Sequence, residues 1–174
     1  SSEHRIFFNG INASPEGYLL PEYFEFQGIR IGFLAVTSFL NKLLTDKHVN
    51  VVPFYDPEAE DALVRRIEEA AKRADLFIVS YHGGAEYRRD PLERKRRLFY
   101  RMVDAGADII WGHHPHVSQP WETVHTREGS KLILYSTGNL ISGQTWNVSP
   151  YRSAGERDGT GESALYSVEA EIVE

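Results

Sequence analysis

Ile109-Ile110-Trp111-Gly112-His113-His114-Pro115-His116 joins a short apolar run to three of the chain's seven histidines. The run reads as a strand that ends in imidazoles, and strand ends at the rim of an open α/β sheet are where such folds place their chemistry. A second run, Leu76-Phe77-Ile78-Val79-Ser80, also ends in histidine, as Tyr81-His82-Gly83-Gly84. Parallel strands lie about 4.8 Å apart, so side-by-side pairing of the two runs brings His82 and the His114/His116 pair into one crevice. Three imidazoles buried together without a cation or anion leave polar nitrogens to satisfy, which favours a metal site at His-His-Pro-His over simple packing. His82 by itself reads equally well as a hydrogen-bonded core residue. His4, His48 and His125 have no such company and read as surface or strand-face residues.

The 174 residues suit one domain, and 41% hydrophobic residues are enough for a substantial core. A net charge of -6 argues against a nucleic-acid surface, which needs a basic stripe. No cysteine is present, so disulfides, thiolate zinc sites and cysteine nucleophiles are excluded. Metal ligands must come from His, Asp, Glu or Asn. The longest apolar stretch, residues 31–40, is too short for a membrane span and is interrupted by Thr37 and Ser38; from Ser1 onward no signal peptide is expected, and the chain reads as soluble.

Outward from the histidine runs, residues 1–18 read as a loop-rich entry. Tyr23-Phe24-Glu25-Phe26, a turn at Gln27-Gly28, and Ile29 onward to Val36 read as a hairpin leading into a central buried strand. Asp56-Pro57 is a helix start, followed by Leu63, Ile67, Ala70 and Ala74 at helical spacing. Asp90-Pro91 repeats that signal; Leu92, Phe99, Met102 and Val103 mark its buried stripe and Gly106 its C-terminal cap. The Arg94-Lys95-Arg96-Arg97 run reads as a solvated face. Helix, strand, helix, strand implies right-handed crossovers and a partly parallel sheet. Trp121 to His125 and Leu132 to Tyr135 form a further hairpin, with Trp121 and Glu122 as sheet residues. Residues 142–161 are expected to be a long flexible loop, and Ala164, Tyr166, Val168, Ala170 and Ile172 the buried face of a closing strand.

Three motifs then stand in order: Ser80-Tyr81-His82-Gly83-Gly84-Ala85-Glu86-Tyr87; Asp104-Ala105-Gly106-Ala107-Asp108-Ile109 through His116-Val117; and Tyr135-Ser136-Thr137-Gly138-Asn139-Leu140. This order resembles the bacterial capsule-synthesis family of poly-γ-glutamate proteins, the CapA-like branch of the calcineurin-like metallophosphatases. Gly28 to Thr37 is similar to the family's mid-domain strand, so the resemblance covers nearly the whole chain.

The resemblance implies a layered α/β/β/α sandwich with mixed sheets, of which residues 1–174 form the C-terminal portion of a single domain. It also implies two divalent metal ions (Mn, Fe or Zn) and hydrolysis of phosphate esters or related anionic substrates. The matching ligands are His82 and a His-x-His pair at His114/His116, with His113 as the competing register. Gly83 and Gly84 are candidates for close approach of an anion, Glu86 for orienting a ligand histidine or binding substrate, and Asn139 for facing the site from the end of another strand. The family's Asp and Asn-His motifs have no counterpart before Tyr23, so the N-terminal part of the same domain is an expected partner and this chain alone is expected to be inactive. The rival reading is a non-catalytic component of capsule synthesis or export that grips an anionic polymer; a blander one is a structural mononuclear zinc. The resemblance suggests an extracytoplasmic or cell-surface setting.

Overall fold

The computed structural model describes residues 6–41, 48–142 and 159–172. A short 3-10 turn at Pro15–Gly17 precedes strands β1 (Glu22–Phe26) and β2 (Ile29–Thr37). Helix α1 (Pro57–Ala71), β3 (Leu76–His82), α2 (Glu93–Asp104) and β4 (Ile109–His113) follow, and the hairpin β5 (Trp121–Thr126) and β6 (Gly129–Leu134) completes the elements. All six strands form one sheet in the order β1-β2-β3-β4-β6-β5. The interior pairs β2–β3, β3–β4 and β4–β6 are parallel and both edge pairs antiparallel, so the chain has the α/β class with a mixed sheet.

Local chemistry accounts for most of these boundaries. Gln27 and Gly28 both adopt positive φ (51° and 81°), the type I′ pattern that matches strand twist in a two-residue hairpin. Asp56 Oδ1 accepts from the backbone N–H groups of Glu58 and Ala59, both at 3.1 Å, and Pro57 costs α1 no hydrogen bond at its first position. At the end of α2, Gly106 (φ 105°) donates to the Val103 carbonyl, and Ala107 N–H to that of Met102. Beyond the reach of β1, the Asn9 side chain accepts from Ala35 N–H and Asn50 donates to Ala35 O, which satisfies the free edge of β2.

Alternation along the strands separates two faces. Leu34, Val36, Phe77, Val79, Ile110 and Ile133 point to one side, where Leu63, Ile67 and Ala70 of α1 and Leu98, Phe99, Met102 and Val103 of α2 close the core. Ile31, Phe33, Ile78, Ile109 and Trp111 lie on the other parity and are half-buried or exposed. His82 and His113, register partners at the ends of β3 and β4, share this less covered side.

Three expectations need correction. Asp90 does not cap α2: Pro91 is buried and Leu92 stays extended (ψ 142°), so the chain turns into the core before the first helical turn at Glu93. Lys95 is not solvated but fully buried, its Nζ donating to Tyr135 O at 2.7 Å and lying 5.3 Å from the centre of the Phe99 ring. Residues 164–172 form no strand, because beyond the single bridge Gly138↔Ser163 the alternating sequence meets no paired strand among the described residues; it is mostly exposed instead. The loop expected at 142–161 and the position of His4 lie almost wholly outside the described residues. No described helix is long and apolar enough to cross a membrane.

Candidate metal centre

The parallel register delivers His82 to the end of β3 beside β4, whose chain turns sharply after His113. The turn sets both His114 (φ 96°) and His116 (φ 60°) in the left-handed region, where a side chain costs about 1–3 kcal/mol each. The His82 and His114 ring centres are 4.8 Å apart, and those of His114 and His116 are 5.7 Å apart. Phe39 closes one side, its ring 4.5 Å from His114 and 5.4 Å from His82. His113 packs edge-on against Trp111 at 4.4 Å.

Hydrogen bonds set the tautomers of two of these rings. Asn139 Nδ2 donates to the carbonyls of His116 and Thr160, which leaves its Oδ1 to accept from His116 Nδ1 at 2.9 Å. Thr37 Oγ1 donates to Phe39 O, so it accepts from His82 Nδ1, also at 2.9 Å. In both rings Nε2 then carries the lone pair that a cation needs. Burial holds the His113 and His114 rings down to about 4, His82 being the next largest influence on both, and burial also lowers His82. These imidazoles are therefore neutral near pH 7, the form in which histidine binds metal.

Glu86 extends from the loop after β3, and its carboxylate with His114 and His116 forms a group whose donor atoms all lie within 4.8 Å of one another. Gly83 is explained by packing, since a Cβ there would sit 2.2 Å from Ser38 Oγ; Gly84 (φ 124°) lies directly over the Lys95 side chain. An open hollow of about 640 Å³ adjoins the site, walled by Phe39, Phe54, Tyr55 and Gly84 among others. Thr37 and Lys95 were not among the sequence candidates. Thr37 had one usable signal, its place opposite His82 once β2 and β3 are paired; Lys95 had none. His48 bonds Asn12 O and His125 bonds Ser130, both away from this cluster.

A parallel-centred α/β sheet with a histidine-lined crevice at its carboxyl edge is the class that fold and site define. Residues 1–144 match the family described as "Bacterial capsule synthesis protein PGA_cap", and the chain belongs to that family. It is 39% identical over 124 residues to the PGA biosynthesis protein CapA of Bacillus subtilis (strain 168), a match covering 71% of this chain and 31% of that protein. To the capsule biosynthesis protein CapA of Bacillus anthracis it is 36% identical over 129 residues, covering 71% of this chain and 30% of the relative. The chain thus spans about a third of the length of these curated relatives. Among solved structures, a hypothetical protein from Thermus thermophilus aligns with a TM-score of 0.42 and 22% identity, over 68% of this chain and 38% of the other.

Proposed function

We propose that this chain is the C-terminal part of a metal-dependent hydrolase of phosphate esters or related anionic substrates that serves capsule or poly-γ-glutamate synthesis. The observation that carries the reading is the convergence of the His82 and His114 rings at 4.8 Å from two separate strand ends. His82, His114 and His116 are the residues that would hold metal, a donor set suited to Mn, Fe or Zn and ill suited to Ca or Mg. Divalent metal bound there would supply Lewis acidity toward a phosphoryl oxygen and acidify a water. The chain's own part is to orient: Thr37 fixes the His82 ring, Asn139 fixes His116, and Phe39 screens the rings from water on one side. The hollow beside Gly84 has room for the organic part of an ester. Completion of the site needs further ligands, which we assign to the N-terminal part of the same domain, packed on the less covered face of the sheet.

The test is hydrolysis of an activated phosphodiester by the longer protein that contains this chain, with Mn or Zn supplied. His82→Ala and His114→Ala should each abolish turnover; unchanged rates in both would sink the proposal. A second reading draws on the presence of one carboxylate in the described donor group: the crevice grips an anionic polymer without cutting it. An inactive longer protein that retains poly-γ-glutamate, and loses it when the histidines are replaced, would establish that alternative.

A further inference from the structure

We infer that Glu86 is a direct metal ligand and completes, with His114 and His116, a three-donor site that lies wholly within this chain. The inference rests on the metal-dependent reading above and adds to its ligand set: Glu86 acts on the cation itself, and His82 serves the neighbouring position beside His114.

Four observations converge on it. The Glu86 carboxylate and the two imidazoles present donor atoms within 4.8 Å of one another, so a small adjustment of the exposed Glu86 side chain would bring all three onto one cation at bonds of about 2.0–2.2 Å. The two loops that carry them are tied together by backbone: Tyr87 N–H, the residue after Glu86, donates at 2.8 Å to the carbonyl of Pro115, the residue between the histidines. Tyr87 also stacks on His116, ring centres 5.9 Å apart and planes 26° from parallel. Finally, His114, His116 and Tyr87 all hold positive φ, so backbone strain is concentrated on the segments that position these three donors. A carboxylate on a loop with no such tie would sample many positions; here the main chain holds it opposite the rings.

Two imidazoles and one carboxylate leave coordination positions open, the arrangement of zinc or non-haem iron sites that act on substrates. Glu86 is exposed while both histidines are half-buried, so the open side faces solvent and the adjoining hollow. The His82 ring lies 4.8 Å from that of His114 without joining the group of three.

The experiment is calorimetric titration of the metal-free chain with Zn²⁺, backed by the visible absorption of Co²⁺ as a reporter of coordination. Wild type should take up one ion. Glu86→Gln, an exposed substitution whose metal-free melting temperature should match wild type, should lose affinity by more than the roughly 10–100-fold typical of removing a group that only orients a ligand. His116→Asn should lose it as well. A Glu86→Gln chain that binds Zn²⁺ within that 100-fold range, while His116→Asn does not bind, overturns the role of Glu86 and leaves the metal-dependent reading standing. Failure of the wild-type chain to bind any ion overturns the three-donor site outright.

Discussion

The two faces of the sheet are equally apolar in sequence and unequally covered in structure. Phe77 and Ile110 are sealed under α1 and α2, while their neighbours Ile78 and Ile109 on the opposite parity are half-buried and Trp111 is 42% exposed. Strands that are hydrophobic at every position belong between two layers. Here one layer is complete, and the histidines emerge at the rim of the face that is less so. Stability therefore resides on one side of the sheet and the candidate chemistry at the edge of the other, so substitutions should separate the two cleanly.

The largest effect expected is Phe77→Ala, a fully buried truncation beneath both helices, which should lower stability by about 3–5 kcal/mol in urea denaturation. Ile109→Ala on the less covered face should cost under about 2 kcal/mol, near the bottom of the range for aliphatic truncations. Equal losses would erase the contrast.

Titration should distinguish the faces next. Burial lowers Lys95, on the buried side of α2, from 10.5 to about 7. Between those values the unfolded chain holds a proton that the folded chain does not, so stability rises with pH across the window, by at most about 1.4 kcal/mol per pH unit. Lys95→Met should remove that slope. On the other face His113 is lowered from 6.5 to about 4, so its contribution is complete above 6.5 and is lost as pH falls toward 4. His113→Gln should make the acid limb shallower without abolishing it, because His114 is lowered to about 4 as well, as read by melting temperature against pH. An alkaline change in that variant would blur the assignment, whereas Lys95→Met should also ease the acid limb slightly, because the Lys95 charge helps hold the His113 ring down.

Gly112 probes the seam between the faces. A Cβ there would lie 2.1 Å from the backbone oxygen of Tyr135, and neither strand can give way without breaking the β4–β6 ladder. Gly112→Ala should cost about 1–3 kcal/mol and displace the loop carrying His114. Wild-type stability with wild-type metal uptake would show that the strands part more easily than their spacing implies. Smallest is Asp56→Ala, which removes the α1 cap from the covered side for about 1 kcal/mol and should leave metal uptake untouched.

Much of the scaffold was readable because its signals are local. The Gln27-Gly28 turn, the Asp56 cap and the apolar runs ending at His82 and His113 each declare themselves within a few residues. Convergence of the two strand ends followed from their parallel pairing. Lys95 was misread because its burial depends on Gly84 and Tyr135, both distant in sequence, while its neighbours in the basic run are polar. The alternation after Ser163 was misread because period-two hydrophobicity makes a strand only where a hydrogen-bonding edge awaits it. Glu86 was a candidate for orienting a histidine or binding substrate, but it sits in a loop without periodicity, and its place beside His114 and His116 depends on contacts distant in sequence.

The position of β6 between β4 and β5 has a consequence for biosynthesis. During translation the outer edge of β4 cannot be closed by the strand that emerges next, because β5 belongs one place further out. It stays bare until the chain has left the ribosome beyond Leu134 and the hairpin folds back. An unpaired, strongly apolar edge invites association with other nascent chains. Slow elongation or weak hairpin formation across residues 121–134 should therefore show first as inclusion-body formation, before any loss appears in the mature protein.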